Sequence, residues 1–227
     1  MKKFAFLILS FINAALTAVY ASFSPLEIVP SHYNINGVAD GYSSKWLVMI
    51  MPCILVVLGI IYLIYGFVAE HYENLLKNQK YVGRIVLAIF LYFLIDFWYL
   101  TVTCISGATQ MGNAFEYILA AASGALMIFI SNMLPKVKQN STLGIKTKAT
   151  LSSQTVWKKT HKLGGYLGVI SGAVMFILAI VGMIFKLNGW AVLLGGLGLF
   201  IVVACIIPCI YASVLYSKEK KANVRCD

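Results

Sequence analysis

Apolar residues run along this chain in six long blocks, and polar residues gather in the gaps between them. The blocks are Phe4–Ser22, Trp46–Val68, Ile85–Gly107, Ala114–Met133, Leu163–Phe185 and Trp190–Leu215. Each is close to the roughly 20 residues that a helix needs to cross the hydrocarbon core. Lipid offers no partner to a bare peptide group, so each block is predicted to be an α-helix. The expected fold is an all-α membrane protein with six transmembrane helices. Its expected domains are 1–107, holding three helices and the outer segment 23–45, and 108–227, holding three helices and the loop 134–162. Pro52 and Pro208 are expected to kink the second and sixth helices. Trp46, Tyr81, Tyr166, Trp190 and Tyr216 fall near block edges, as interface anchors do.

Charge then orients the chain. Sixteen of the eighteen lysines and arginines fall at the N-terminus, in the loops after the second and fourth blocks, and in the C-terminal tail. Lys45 and Lys186 fall in the other connections. The positive-inside rule therefore predicts cytoplasmic N- and C-termini. Met1-Lys2-Lys3, the apolar run and Val19-Tyr20-Ala21 also resemble a cleavable signal peptide. The run is longer than a signal core, so a retained helix is expected.

Composition fits this picture. The chain is 60% hydrophobic and 11% charged, which excludes an ordinary soluble domain, a disordered chain and a disulfide scaffold. The net charge of +10 reads as membrane orientation, and no direct nucleic-acid binding is expected. Cys53, Cys104, Cys205 and Cys209 lie in apolar runs and point to neither a disulfide framework nor a metal. His32, His71 and His161 are split between the two sides of the membrane. No catalytic motif, metal cluster or phosphate loop is recognisable, so neither enzymatic activity nor a cofactor is expected.

Two connections carry motifs. The outer segment reads Pro30-Ser31-His32-Tyr33-Asn34, then Gly37, Asp40-Gly41 and Lys45. It resembles the signature of a bacterial membrane domain of unknown function, in which the motif follows the first helix. The second stretch runs Leu134-Pro135, Asn140, Leu143-Gly144-Ile145-Lys146-Thr147, Thr150-Leu151, Trp157 and Thr160-His161. It is similar to the cytoplasmic signature of the SdpI family. The family often has Pro-Trp where this chain has Lys148-Ala149. The resemblance implies a multi-pass protein of the bacterial cytoplasmic membrane that confers immunity to a secreted antimicrobial peptide toxin. It further implies a receptor that sequesters a cytoplasmic transcriptional repressor.

Each candidate site has a functional and a structural reading. Pro30, His32, Tyr33, Gly37, Asp40 and Lys45 are candidates for toxin contact at the outer face, or they shape a sealing loop. Gly37 and Asp40-Gly41 suit tight turns. Asn140, Gly144, Ile145, Thr147, Thr150, Leu151, Trp157 and His161 are candidates for contact with a cytoplasmic partner. Trp157 and His161 stand one turn apart and are expected to share a face. The loop's seven lysines alone are explained by attraction to anionic lipid. A short interfacial helix is expected over Ser152–Lys162, capped by Ser152 or Ser153. Asp96, mid-membrane, is the candidate polar switch, with Tyr92, Tyr99 and Thr103 on its face and Asn13 as a possible pair. It would also be the working residue of the alternative function, a small transporter or permeation protein. Glu116, with Asn113 as N-cap, suits a helix start. Gly164, Gly168 and Gly172 form a packing row that serves the bundle or a dimer.

Overall fold

The computed structural model describes residues 2–34, 36–112 and 114–223. Its elements are, in order, α1 (Lys2–Ser22), β1 (Ile28–Tyr33), β2 (Ala39–Ser44), α2 (Ile50–Ala69), α3 (Glu73–Leu76), α4 (Gln79–Ile105), α5 (Phe115–Met133), α6 (Lys148–Ser152), α7 (Gln154–Phe185), α8 (Gly189–Phe200) and α9 (Ile207–Asn223). A 3₁₀ turn, Lys45–Met49, leads into α2, and a π turn, Ile201–Ile206, joins α8 to α9. Six helical runs among the described residues are long and apolar enough to cross a membrane, and each matches one predicted block.

The differences in detail have local causes. Pro52 follows directly on the change from the 3₁₀ turn to α2. It lies in the first turn of α2, the helix position that best tolerates a proline. Pro208 leaves the Ala204 carbonyl without its usual donor, and the helix widens just before it. The Ile207 N–H reaches back to the Val202 carbonyl, the spacing of a π turn. α7 is unbroken from Gln154, so Ser152–Lys162 is not a separate interfacial helix. Ser153 caps α7 through its hydroxyl, which accepts from the Val156 N–H at 3.3 Å. Residue 113 lies outside the described residues, and Glu116 stands in the first turn of α5 as expected.

The chain divides into two compact units. The first contains residues 1–71 and 89–115. Here α1 packs along α2, and Gly59 leaves room for Phe6 and Leu7: a Cβ there would stand 3.1–3.2 Å from them. Ala21, Val48 and Ile105 form a small core near the ends of their helices. The second unit contains residues 72–88 and 116–227. Its core is Ala120, Met175, Ala179 and Leu193, drawn from α5, α7 and α8. Gly124 and Gly172 bring α5 and α7 into backbone contact. A Cβ on Gly124 would stand 2.8 Å from the Gly172 carbonyl oxygen, and one on Gly172 would stand 2.9 Å from that of Gly124.

Candidate functional site

In the second unit, the chain between α5 and α7 folds into a hydrogen-bonded knot around Trp157 and His161. Both side chains are buried and come from the first two turns of α7. Their rings stack with centroids 3.9 Å apart and planes 19° apart. The Trp157 indole N–H donates to the Val137 carbonyl at 2.8 Å. His161 Nε2 accepts the Ile145 N–H at 3.0 Å, so that nitrogen carries no proton. The hydrogen then sits on Nδ1 and is donated to the Trp157 carbonyl at 2.9 Å. The ring is thereby fixed as one neutral tautomer. Gly144 crosses this stack at φ +123°. A Cβ there would overlap His161 Nε2 and meet the Trp157 ring at 3.2 Å.

The other signature residues close the knot. Asn140, buried, accepts from the Thr142 and Leu143 N–H groups at 2.7 Å each. It donates to the Lys138 and Leu143 carbonyls at 2.6 and 3.0 Å. Thr147 and Thr150 cap α6 reciprocally: each hydroxyl oxygen accepts from the other's backbone N–H, at 3.1 and 2.8 Å. The Thr150 hydroxyl also donates to the Ile145 carbonyl at 2.9 Å.

Two participants escape a motif-based reading. Gln139 donates to the carbonyls of Thr150 and Leu151 at the end of α6. Asn78, directly before α4, pairs with both backbone groups of Lys138, at 2.8 and 2.9 Å. An asparagine just ahead of an apolar block was the one available signal for Asn78. Side chains left outside the knot include Lys138, Lys148, Leu151, Lys158 and Lys159, all exposed.

In the first unit, the outer segment is a β-hairpin. β1 and β2 pair antiparallel from Ile28↔Ser44 to Tyr33↔Ala39. The turn lies at Asn34–Val38, where the Asn34 side-chain oxygen accepts from the Asn36 and Val38 N–H groups and Gly37 takes φ +71°. Gly37 is thus a turn residue as expected, but Asp40-Gly41 is not. It lies inside β2 at a register shift, where a Cβ on Gly41 would stand 3.0 Å from His32 Cβ. Residues 109–111 make an isolated antiparallel bridge to the hairpin: the Ala39 N–H donates to the Thr109 carbonyl and the Met111 N–H to the Gly37 carbonyl. Tyr33 donates to the Ala108 carbonyl at 2.8 Å. Burial, then the neighbouring Cys104, pushes the Tyr33 hydroxyl up to about 12. Lys45 is buried and donates to the Ser24 carbonyl at 3.0 Å and to Glu27 at 3.1 Å. Pro30 is buried as well. His32 and Asp40 form an exposed pair at 2.5 Å.

Residues 136–212 match the model of the SdpI/YfhL protein family, and residues 8–56 match a domain of unknown function, DUF1648. Over that C-terminal stretch, about a third of its length, the chain is similar to the SdpI/YfhL family. No curated protein and no solved structure matches it. The family match begins inside the knot and ends in α9, and the DUF1648 match includes the whole hairpin. In this chain, most of the motif residues build the two folded connections themselves. Among the motif residues, His32, Asp40, Pro135, Lys146 and Leu151 are exposed.

The intramembrane candidates are also distributed differently from expectation. Asp96 is buried on α4 and hydrogen-bonds the Tyr92 hydroxyl, while its Oδ1 has no partner among the described residues. Asn13 does not pair with it, because the Asn13 side-chain oxygen takes the Trp98 indole N–H at 2.8 Å. Tyr99 donates to the Gly112 carbonyl and Thr103 to the Tyr99 carbonyl. The glycine row of α7 is occupied within the chain. Gly164 faces Ile145 and Pro208, Gly168 faces Ser131 and Ala204, and Gly172 faces Gly124 and Ile128. Glu116 is half-buried, with its Cβ tight against Gly189.

Proposed function

We propose that this chain is a non-enzymatic immunity protein of the bacterial cytoplasmic membrane, protecting its cell against a secreted antimicrobial peptide toxin. Similarity to the SdpI/YfhL family points to an immunity-type membrane protein. The observation that supports the finer reading is the knot: its signature residues hold one another in a single rigid shape on a membrane helix. In this reading both termini and the knot are cytoplasmic, as the lysine distribution requires, and the hairpin meets the toxin from outside. A cytoplasmic transcriptional repressor would then dock on the exposed residues Lys148, Leu151, Lys158 and Lys159. The test is survival. A sensitive cell expressing the chain should resist the secreted peptide encoded beside it. Replacing residues 27–45 by a flexible linker, at equal protein level, should abolish resistance. Unchanged resistance would remove the hairpin from toxin contact.

The unpartnered Oδ1 of Asp96 favours a second reading, a small transporter or permeation protein. The immunity reading predicts that Asp96→Asn protects fully, because the amide keeps an acceptor for Tyr92. Loss of a proton or solute flux in that variant would support transport instead.

A further inference from the structure

The C-terminal end of α9 carries a feature that the immunity reading does not use. Ser213, Val214, Ser217, Lys218 and Lys221 line an open groove of about 370 Å³. Their spacing of one, four, five and eight residues puts them on one face of the helix. The opposite face, with Ala212 and Leu215, packs against Ala149 and Val156. The groove thus looks outward, where the apolar stretch of the sixth span gives way to polar residues. Among the described residues, no carboxylate lies within ion-pair distance of Lys218 or Lys221. The nearest acid in sequence, Glu219, is half-buried. The Ser213 and Ser217 hydroxyls donate to the Cys209 and Ser213 carbonyls, and each would give up that bond to donate to an incoming acceptor.

We propose that this groove binds the phosphodiester headgroup of an anionic phospholipid from the leaflet that surrounds the C-terminal end of the sixth span. Two ammonium groups one turn apart bracket the phosphate. The serine hydroxyls reach its remaining oxygens. Val214, on the membrane side, receives the start of the acyl region. The lysines would otherwise stand as unpaired cations at the membrane surface, where each basic residue adds roughly a fivefold gain for anionic lipid. The lipid would tie down the helix whose other face supports α6 and the entry to α7.

The test uses the full chain in a neutral detergent, with unfolding temperature and native mass spectrometry as readouts. Phosphatidylglycerol should bind and raise the unfolding temperature; phosphatidylcholine and free glycerol phosphate should do neither. In K218Q/K221Q, half-saturation by phosphatidylglycerol should move about 30-fold higher, from two such contributions. The control K80Q/R84Q, an exposed basic pair outside the groove, should lose far less than the groove variant. Unfolding temperatures without lipid, equal for the three proteins, show that all are folded. If the K218Q/K221Q fold is lost, S213A/S217A repeats the measurement with an expected weaker binding. Equal binding by parent and groove variant overturns the proposal. So does an equal loss in K80Q/R84Q, which would mean diffuse attraction. Saturation by glycerol phosphate alone would mean a free anion site and also overturns it.

Discussion

One methyl group at Gly144 tests the knot directly. Gly144→Ala places a Cβ where His161 Nε2 now stands, at a backbone φ of +123° that L residues avoid. The strained backbone costs about 1–3 kcal/mol. Relief of the overlap requires the imidazole to retreat, which leaves the Ile145 N–H without its acceptor, a further loss of about 1–3 kcal/mol. The total of roughly 2–6 kcal/mol corresponds to a fall in unfolding temperature of roughly 4–24 °C for a chain of this size. Gly195→Ala adds the same methyl to α8, where nothing lies within 4 Å. In a helix that change is neutral or stabilising by up to about 1 kcal/mol. Thermal unfolding of both purified variants in detergent, with limited proteolysis of residues 136–153, is the assay. The reasoning is refuted if Gly144→Ala unfolds within a degree of the parent, or if both substitutions destabilise equally.

Other consequences follow from the hairpin. Lys45→Met removes a buried cation but leaves the Ser24 carbonyl without its donor, so a loss of about 1–3 kcal/mol is expected; unchanged protease resistance of residues 23–45 would contradict it. The raised Tyr33 pKa gives a signed pH effect. The neutral phenol is favoured in the fold, so its contribution is complete below the ordinary tyrosine value near 10. It disappears as pH rises through about 12. Tyr33→Phe should therefore lose less stability than the parent between those two values, and identical alkaline profiles would show that Tyr33 is not so held.

Hydropathy made the six spans legible because lipid imposes one requirement on every residue of a span. The helix ends were less visible. Lys158, Lys159 and Lys162 lower the hydropathy before Leu163, yet they lie on the exposed face of α7 while Val156, Trp157, Thr160 and His161 fill the buried one. The hairpin was hidden for another reason. β1 contains Pro30 and β2 contains Asp40-Gly41, residues that ordinarily mark turns. Here Pro30 pairs with Tyr42 next to a register shift, and Gly41 admits His32 at a bulge.

Asn140, Gly144, Thr147, Thr150, Trp157 and His161 stand out in the sequence, and their partners do not. His161 is bonded to a residue 16 positions away, and Asn78 to one 60 positions away. No spacing rule predicts such pairs. Nor does the sequence show that these polar groups face one another rather than a ligand.

Toxin immunity is tested most directly by a dose–response curve. Sensitive cells with and without this chain are exposed to graded amounts of the secreted peptide encoded beside it, with membrane expression verified. The account predicts a clear rise in the lethal peptide concentration with the parent chain, and little or no rise with Gly144→Ala at equal expression. Superimposed curves with and without the parent chain would contradict it.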